Sequence, residues 1–133
     1  MIFLPPEAKS FKRLCQKFNP DDFLKKMIDV GELDGITDNY GEDVYQLCNN
    51  AVAWMIIKLQ GTSDYYCAEV CRGEFEGRDH TWMKFNGYYI DLTLAQFIEA
   101  PRIAITRVTE KNGYAPYKTM AIPEFLEMLK NEV

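Results

Sequence analysis

His80-Thr81-Trp82-Met83-Lys84-Phe85-Asn86-Gly87-Tyr88-Tyr89-Ile90-Asp91-Leu92-Thr93 decides how this chain folds. Asn86-Gly87 separates two runs rich in aromatic and β-branched residues. That pattern predicts a two-residue hairpin, because both turn residues must reach φ > 0. The register then follows: Phe85 faces Tyr88, Lys84 faces Tyr89, Met83 faces Ile90, and Trp82 faces Asp91. Side chains alternate along a strand, so His80, Trp82 and Lys84 share a face with Tyr89, Asp91 and Thr93. His80 and Asp91 become diagonal neighbours, with backbones about 7–8 Å apart, within reach of an imidazole and a carboxylate. His80 is the only histidine in the chain, so imidazole chemistry starts there. A carboxylate on one ring nitrogen fixes the tautomer and leaves the other as a general base.

Upstream, residues 5–18 read as a short helix through Phe11, Leu14, Cys15 and Phe18. Asn19 caps a second helix opened by Pro20 and ended by Gly31, with Asp21 and Asp22 matching its dipole. Phe23, Leu24, Met27, Ile28 and Val30 form its apolar side. Residues 35–41 are a loop by composition. A third helix ends at Gly61 and is apolar on much of its circumference, from Val44 and Leu47 to Ile56, Ile57 and Leu59; such a helix is buried. Its start lies between Asp43 and Gln46. Tyr65 to Cys71 reads as a strand and Arg72 to Arg78 as a polar loop. After the hairpin come a helical turn from Leu94 to Glu99, a strand from Arg102 to Val108, and a turn at Lys111-Asn112-Gly113. Ile122-Pro123 opens a closing helix. Helices followed by antiparallel strands and a last helix make an α+β fold, residues 1–133 forming one domain.

A chain of 133 residues suffices for one core. Its composition, 47% hydrophobic and 26% charged, is that of a soluble globular protein. A net charge of −5, with no basic face, argues against nucleic-acid binding. No apolar run approaches the roughly 20 residues of a membrane span. The start, Met-Ile-Phe-Leu-Pro-Pro, does not read as a signal peptide. The expectation is a cytoplasmic protein whose Cys15, Cys48, Cys67 and Cys71 are free thiols. A zinc site built on Cys67 and Cys71 is disfavoured, since four residues of strand separate them by about 13 Å.

Cys48 is the candidate nucleophile. It follows a loop containing Gly and Asn and lies near the start of the buried helix, where the dipole and an imidazolium both favour a thiolate. Cys48 on a central helix, then His80-Thr81-Trp82 on one strand, then Asp91-Leu92-Thr93 with Gln96-Phe97 just after, resembles the transglutaminase-like branch of the papain-like superfamily. The resemblance covers about residues 40–97. It implies a central helix packed on an antiparallel sheet and acyl transfer from an amide to water or an amine through a thioester. By that resemblance Cys48 is nucleophile, His80 base and then acid, and Asp91 the orienter. Trp82, Asn39 and Tyr40 are candidate substrate contacts, and Asn39, Tyr40, Gln46 and backbone N–H groups around Cys48 are candidate oxyanion donors. The substrate expected is a protein, peptide, isopeptide, glutamine side chain or small amide, and the chemistry requires no cofactor or metal.

Rival readings stand beside this one. Cys48 shares a helical stripe with Val44, Ala51, Val52 and Met55, as a core cysteine would. A His80–Asp91 pair can simply hold a sheet together, and Asp91 can merely cap the following turn. On those readings the fold is an idle triad serving as a protein-binding or inhibitory module, with its tyrosines as the surface.

Overall fold

Two short turns with left-handed backbone set the sheet. In the computed structural model, which describes residues 1–5 and 11–132, Asn86 and Gly87 have φ of 47° and 84°. They join β2 (Arg78–Phe85) to β3 (Tyr88–Asp91). Pairing is Phe85–Tyr88, Lys84–Tyr89 and Met83–Ile90, the expected register. Beyond Met83 the ladder opens, and Asp91 pairs instead with Ala104 of β4 (Ala104–Arg107). Glu76-Gly77, with φ of 47° and 80°, makes a second hairpin joining β1 (Ala68–Phe75) to β2.

The five strands are antiparallel and ordered β4-β3-β2-β1-β5, with β5 spanning Tyr114–Ala121. Residues at the N-terminus lie along the outer side of β4: the Leu4 N–H donates to Ile105 O, and the Thr106 hydroxyl to Ile2 O. The helices are α1 (Lys12–Lys17), α2 (Pro20–Asp29), the single turn α3 (Tyr40–Asp43), α4 (Cys48–Leu59) and α5 (Ile122–Asn131). The main core joins Leu14, Phe23, Leu24, Met55, Ile56 and Phe125 from the helices to Val70, Met83, Ile90 and Ile105 from the sheet. The alternate sheet positions make smaller clusters around Cys71, Trp82 and Tyr89 and around Phe75, Leu94 and Ala104. The fold is α+β, and no helix is long and apolar enough to cross a membrane among the described residues.

Asn19 caps α2 as expected, its side chain accepting from the N–H groups of Asp21 and Asp22. Phe23, Leu24 and Met27 are buried, but Ile28 and Val30 are exposed. They fall where the helix ends and Gly31, at φ 81°, turns the chain away. The expected first helix covers residues 6–10, which lie outside the described residues; its observed part starts at Lys12.

Several expectations fail, among them the start of the buried helix, expected between Asp43 and Gln46 and found at Cys48 because Gln46, at φ 61°, separates it from α3. Ser63–Cys67 is a 3₁₀ turn, not the start of a strand. Its polar groups are satisfied as a turn: the Arg13 guanidinium grips Asp64 at 2.9 and 2.6 Å, and the Thr62 hydroxyl donates to Leu59 O. Cys67 is consequently exposed. Residues 72–75 are strand rather than polar loop, since only Glu76-Gly77 turns. β5 was not visible in the pattern because it is an edge strand, mostly exposed, without alternation, and it carries Pro116 where an edge tolerates it.

The β1–β5 pairing shifts between Arg72 and Gly73, so that Tyr117 is the extra residue of a bulge. Gly73 permits this approach, since a Cβ there would lie 2.2 Å from Ala115 O and 2.6 Å from Pro116 Cα. Neither backbone atom can yield as a flexible side chain could. Gly73→Ala should therefore lower folding stability by about 1–3 kcal/mol, measured by urea unfolding; an unchanged midpoint would show that β5 does not press on β1.

Candidate active site

Cys48 is the first residue of α4, set there by an abrupt change of chain direction. α3 ends at Asp43 with Val44 as its C-cap, Gln46 adopts φ 61°, and Leu47 is the N-cap of α4. No side chain caps α4, so its first N–H groups lack intrahelical partners and the positive end of its dipole lies at the thiol. Cys48 is half-buried, not sunk in the core; Ala51, Val52 and Met55 from the same stripe are.

His80, on β2, is 3% exposed. Its Nε2–H donates to Asp91 Oδ2 at 2.6 Å. The ring stacks on Trp82 with centroids 5.6 Å apart and meets the Phe97 ring edge-on at 5.0 Å. Its cross-strand neighbour is Gly73, which adds no side chain beside the imidazole. Nδ1 has no hydrogen bond of regular geometry. Cys48 and His80 line one cleft, and the thiol lies close enough to exchange hydrogen-bonding and charge effects with the ring.

Asp91 is 1% exposed and receives four hydrogen bonds. Oδ2 accepts from His80 and, at 2.8 Å, from the Tyr114 hydroxyl. Oδ1 accepts from the Thr93 N–H at 2.9 Å and the Thr93 hydroxyl at 3.2 Å. Burial pushes this carboxyl up. The His80 charge and hydrogen bond, the Thr93 N–H and Tyr114 together outweigh burial and hold it below the usual range. For His80 burial acts downward, but the charge and hydrogen bond of Asp91, followed by the Cys48 thiolate, raise the imidazole to about 9. Burial likewise opposes the Cys48 thiolate. The hydrogen bond and charge of His80, with the Thr81 backbone N–H, bring its pKa below 9.0. These directions describe a thiolate beside an imidazolium that is backed by a carboxylate, a set of groups able to attack a carbonyl and protonate a leaving amine.

Cys48, His80 and Asp91 thus converge and Gln46 borders the same thiol, while Trp82, Asn39 and Tyr40 do not line the cleft. Trp82 is wholly buried and backs the imidazole. Asn39 caps α3, accepting from the Glu42 N–H, and borders a neighbouring hollow with Gly41 and Glu42. Tyr40 is buried, its hydroxyl donating to Leu92 O at 2.8 Å, which ties α3 to the turn after Asp91. Tyr114 was not recognised as a partner of Asp91, since it belongs to the unforeseen β5. Its signal was local: Asn112 accepts from the Tyr114 N–H and donates to Arg107 O, so Asn112-Gly113 aims the strand. Cys71 is buried beside the Thr119 hydroxyl.

Comparison of the chain with models of protein families, with curated proteins and with solved structures gives no match.

Because His80 is the only histidine, its ring nitrogens are unambiguous in ¹⁵N NMR. The native ring should titrate near 9. In Asp91→Asn the carboxylate is gone and only Cys48 still opposes burial, so the imidazole should titrate well below its native value. A titration unmoved by this substitution would show that Asp91 does not set the charge of the ring.

Proposed function

We propose that this chain is a thiol hydrolase or acyltransferase with a papain-like, transglutaminase-like core, acting on an amide through Cys48, His80 and Asp91. The observation that carries the reading is the buried 2.6 Å His80–Asp91 contact, with the ring's other nitrogen lacking a regular hydrogen bond beside a thiol at a helix N-terminus. A pair that only braced the sheet would have no need of a thiol drawn below its ordinary pKa.

In this mechanism the Cys48 thiolate attacks the carbonyl carbon, forming a C–S bond while the carbonyl π pair moves to oxygen. The tetrahedral intermediate collapses, the C–N bond breaks, and the amine leaves with the proton of the His80 imidazolium. Neutral His80 then accepts a proton from water or an acceptor amine, which attacks the thioester. Collapse of the second intermediate releases the acyl product and restores the thiolate and imidazolium. Asp91 remains ionised and keeps Nε2–H directed at itself, leaving Nδ1 for proton transfer. The substrate class is a protein, peptide, isopeptide, glutamine side chain or small amide. A reducing compartment such as the cytoplasm would keep the thiol available.

The test sets Cys48 against Cys67, the exposed cysteine. With iodoacetamide at pH 7, half-buried Cys48 should be alkylated at least about 10-fold faster than Cys67, because reaction follows the thiolate fraction. The rate at Cys48 should fall off at a lower pH than that of an ordinary thiol, as its lowered pKa requires. Turnover of an amide should instead fall as pH rises past about 9, when His80 loses the proton the leaving amine needs. Slow and equal labelling of Cys48 and Cys67 would remove the nucleophile and favour a binding module.

A further inference from the structure

Cys48 borders two hollows, and the position of His80 tells them apart. The first, of about 350 Å³, is lined by Cys48 and His80 together with Asn49, Arg72 and Tyr117. The second is lined by Cys48 with Gln46, Gln96 and Phe97, and there the Gln46 N–H donates to Gln96 Oε1 at 3.0 Å. His80 lines only the first. In the mechanism above the imidazolium gives its proton to the leaving nitrogen, so the amine half of the substrate belongs in the hollow that the imidazole lines. By microscopic reversibility an acceptor amine enters at the same place.

Arg72 is the cation of that half. Asp79 borders both hollows and does not distinguish them, whereas Arg72 borders the first alone. Arg72 pairs with Thr81 across β1 and β2, one residue from the Gly73–His80 pair. Side chains alternate along β1, so Arg72 lies on the side of Val70, where the helices pack. Its Nε reaches the Thr81 hydroxyl at 3.5 Å and its Nη1 the Met128 sulfur at 3.4 Å. One carboxylate already sits on it: Glu132, the C-cap of α5, places Oε1 2.7 Å from Nη1. The Glu132 side chain is 46% exposed, and a surface ion pair of this kind is weak and readily exchanged. Glu132 thus shows that the guanidinium takes a carboxylate at the edge of the hollow, and it can yield to another.

Asn49 supplies an independent observation. It is the second residue of α4 and borders the same hollow. Its Oδ1 is a buried acceptor with no partner among the described residues. Such an atom favours a ligand that brings it an N–H. The hollow therefore presents an acceptor for N–H and a cation for a carboxylate, which complement the two ends of an amino acid or short peptide.

We infer that Arg72 is a specificity-determining residue of the reaction proposed above: the amine that leaves, or that accepts the acyl group, carries a carboxylate that replaces Glu132 on the guanidinium. Asn49 Oδ1 accepts an N–H of the same amine. This rests on Cys48 being the nucleophile. In the transfer step the amine nitrogen attacks the thioester carbon and its proton passes to His80 Nδ1. The C–S bond then breaks and the sulfur leaves as thiolate. Arg72 exchanges no proton at any step.

Acetyl-Cys48, made with p-nitrophenyl acetate and freed of reagent, isolates the acceptor step, with loss of the acetyl group followed by mass spectrometry. Glycine is compared with glycinamide, and glycylglycine with glycylglycinamide, each at equal concentration of unprotonated amine. The two pairs hold the carboxylate at two distances from the nitrogen. In at least one pair the carboxylate form should deacetylate the native protein about 10-fold faster than the amide, as a charged hydrogen bond allows. Arg72→Gln should bring that ratio to within about 2-fold of unity while the amides react at the native rate, since only the charged contact is lost. Glu132→Gln breaks the same ion pair from its other end but leaves the guanidinium, so it should keep or widen the preference.

No preference in either pair would overturn the inference, as would a preference that survives in Arg72→Gln. So would an equal loss of carboxylate and amide forms in Arg72→Gln, which would make Arg72 only a support of the cleft. A preference that Glu132→Gln also loses would assign the effect to the ion pair with α5, and an acetyl-enzyme that water cleaves and every amine ignores would leave the hollow without an amine; either sinks the proposal. In each of those cases Cys48 still reacts rapidly with iodoacetamide, and the thiol-enzyme reading survives. If native Cys48 reacts with iodoacetamide and p-nitrophenyl acetate no faster than Cys67, that reading and the inference fall together.

Discussion

The contact between His80 and Asp91 joins two buried groups, and much of the sheet's end is arranged to make it tolerable. Removing an isolated carboxylate from water costs several kcal/mol even after relaxation. Asp91 offsets this with four hydrogen bonds, from His80, Tyr114 and the N–H and hydroxyl of Thr93. Those donors come from β2, β5 and the turn after β3, while the Asp91 backbone pairs with β4. Four strands therefore meet at one carboxylate. The β1–β5 pairing brings Tyr114 opposite Phe75, and the bulge beyond it is possible because Gly73 lacks a Cβ. A change that loosens β5 reaches the imidazole through the Tyr114 hydroxyl without touching His80.

The aromatic enclosure has the complementary effect. Trp82 and Tyr114 lie nearly parallel to the imidazole, and Phe97 meets it edge-on. The Arg78 guanidinium covers Phe97 at 4.5 Å. Excluding water strengthens the attraction between imidazolium and carboxylate, and the ring faces favour a cation between them. Burial alone would neutralise His80; here the charge of Asp91 prevails, which is why the imidazole is raised to about 9 rather than lowered.

Short-range chemistry made the central part of this structure legible. Asn86-Gly87 determined a turn, the turn determined a register, and the register put His80 and Asp91 on one face. The His80–Asp91 bond forms even though the paired ladder stops at Met83. Asn19 as a cap was legible for the same local reason, whereas the helix that carries Cys48 was expected to start between Asp43 and Gln46 and starts at Cys48 itself. What escaped depends on contacts distant in sequence or on strands that bury little. β5 has one buried residue and no alternation to read. The Gln96–Gln46 bond links residues 50 apart, and Tyr114 is 23 residues from the carboxylate it supports. Trp82, by contrast, was placed on the right face with the wrong consequence: sharing a face with His80 put it in a sealed cluster, because that side of the sheet has a small core of its own.

Two influences favour a thiolate at Cys48, and their sizes show which dominates. A helix dipole contributes about 0.3–1 kcal/mol to a charge at an exposed terminus, less than the 1.36 kcal/mol that one pKa unit represents. A cysteine at a helix start is thus weak grounds for reactivity by itself, particularly when half-buried, since burial pushes the thiol the other way. The larger opposing influence is the imidazolium, through its hydrogen bond and its charge. That imidazolium is favoured first by the charge and hydrogen bond of Asp91 and then by Cys48, and Asp91 is in turn held ionised by His80, the Thr93 N–H and Tyr114. The charge of a thiol on α4 is therefore governed mainly from the sheet, one carboxylate away from the sulfur, and α4 itself contributes mainly position: a thiol in its first turn, beside N–H groups with no intrahelical partner.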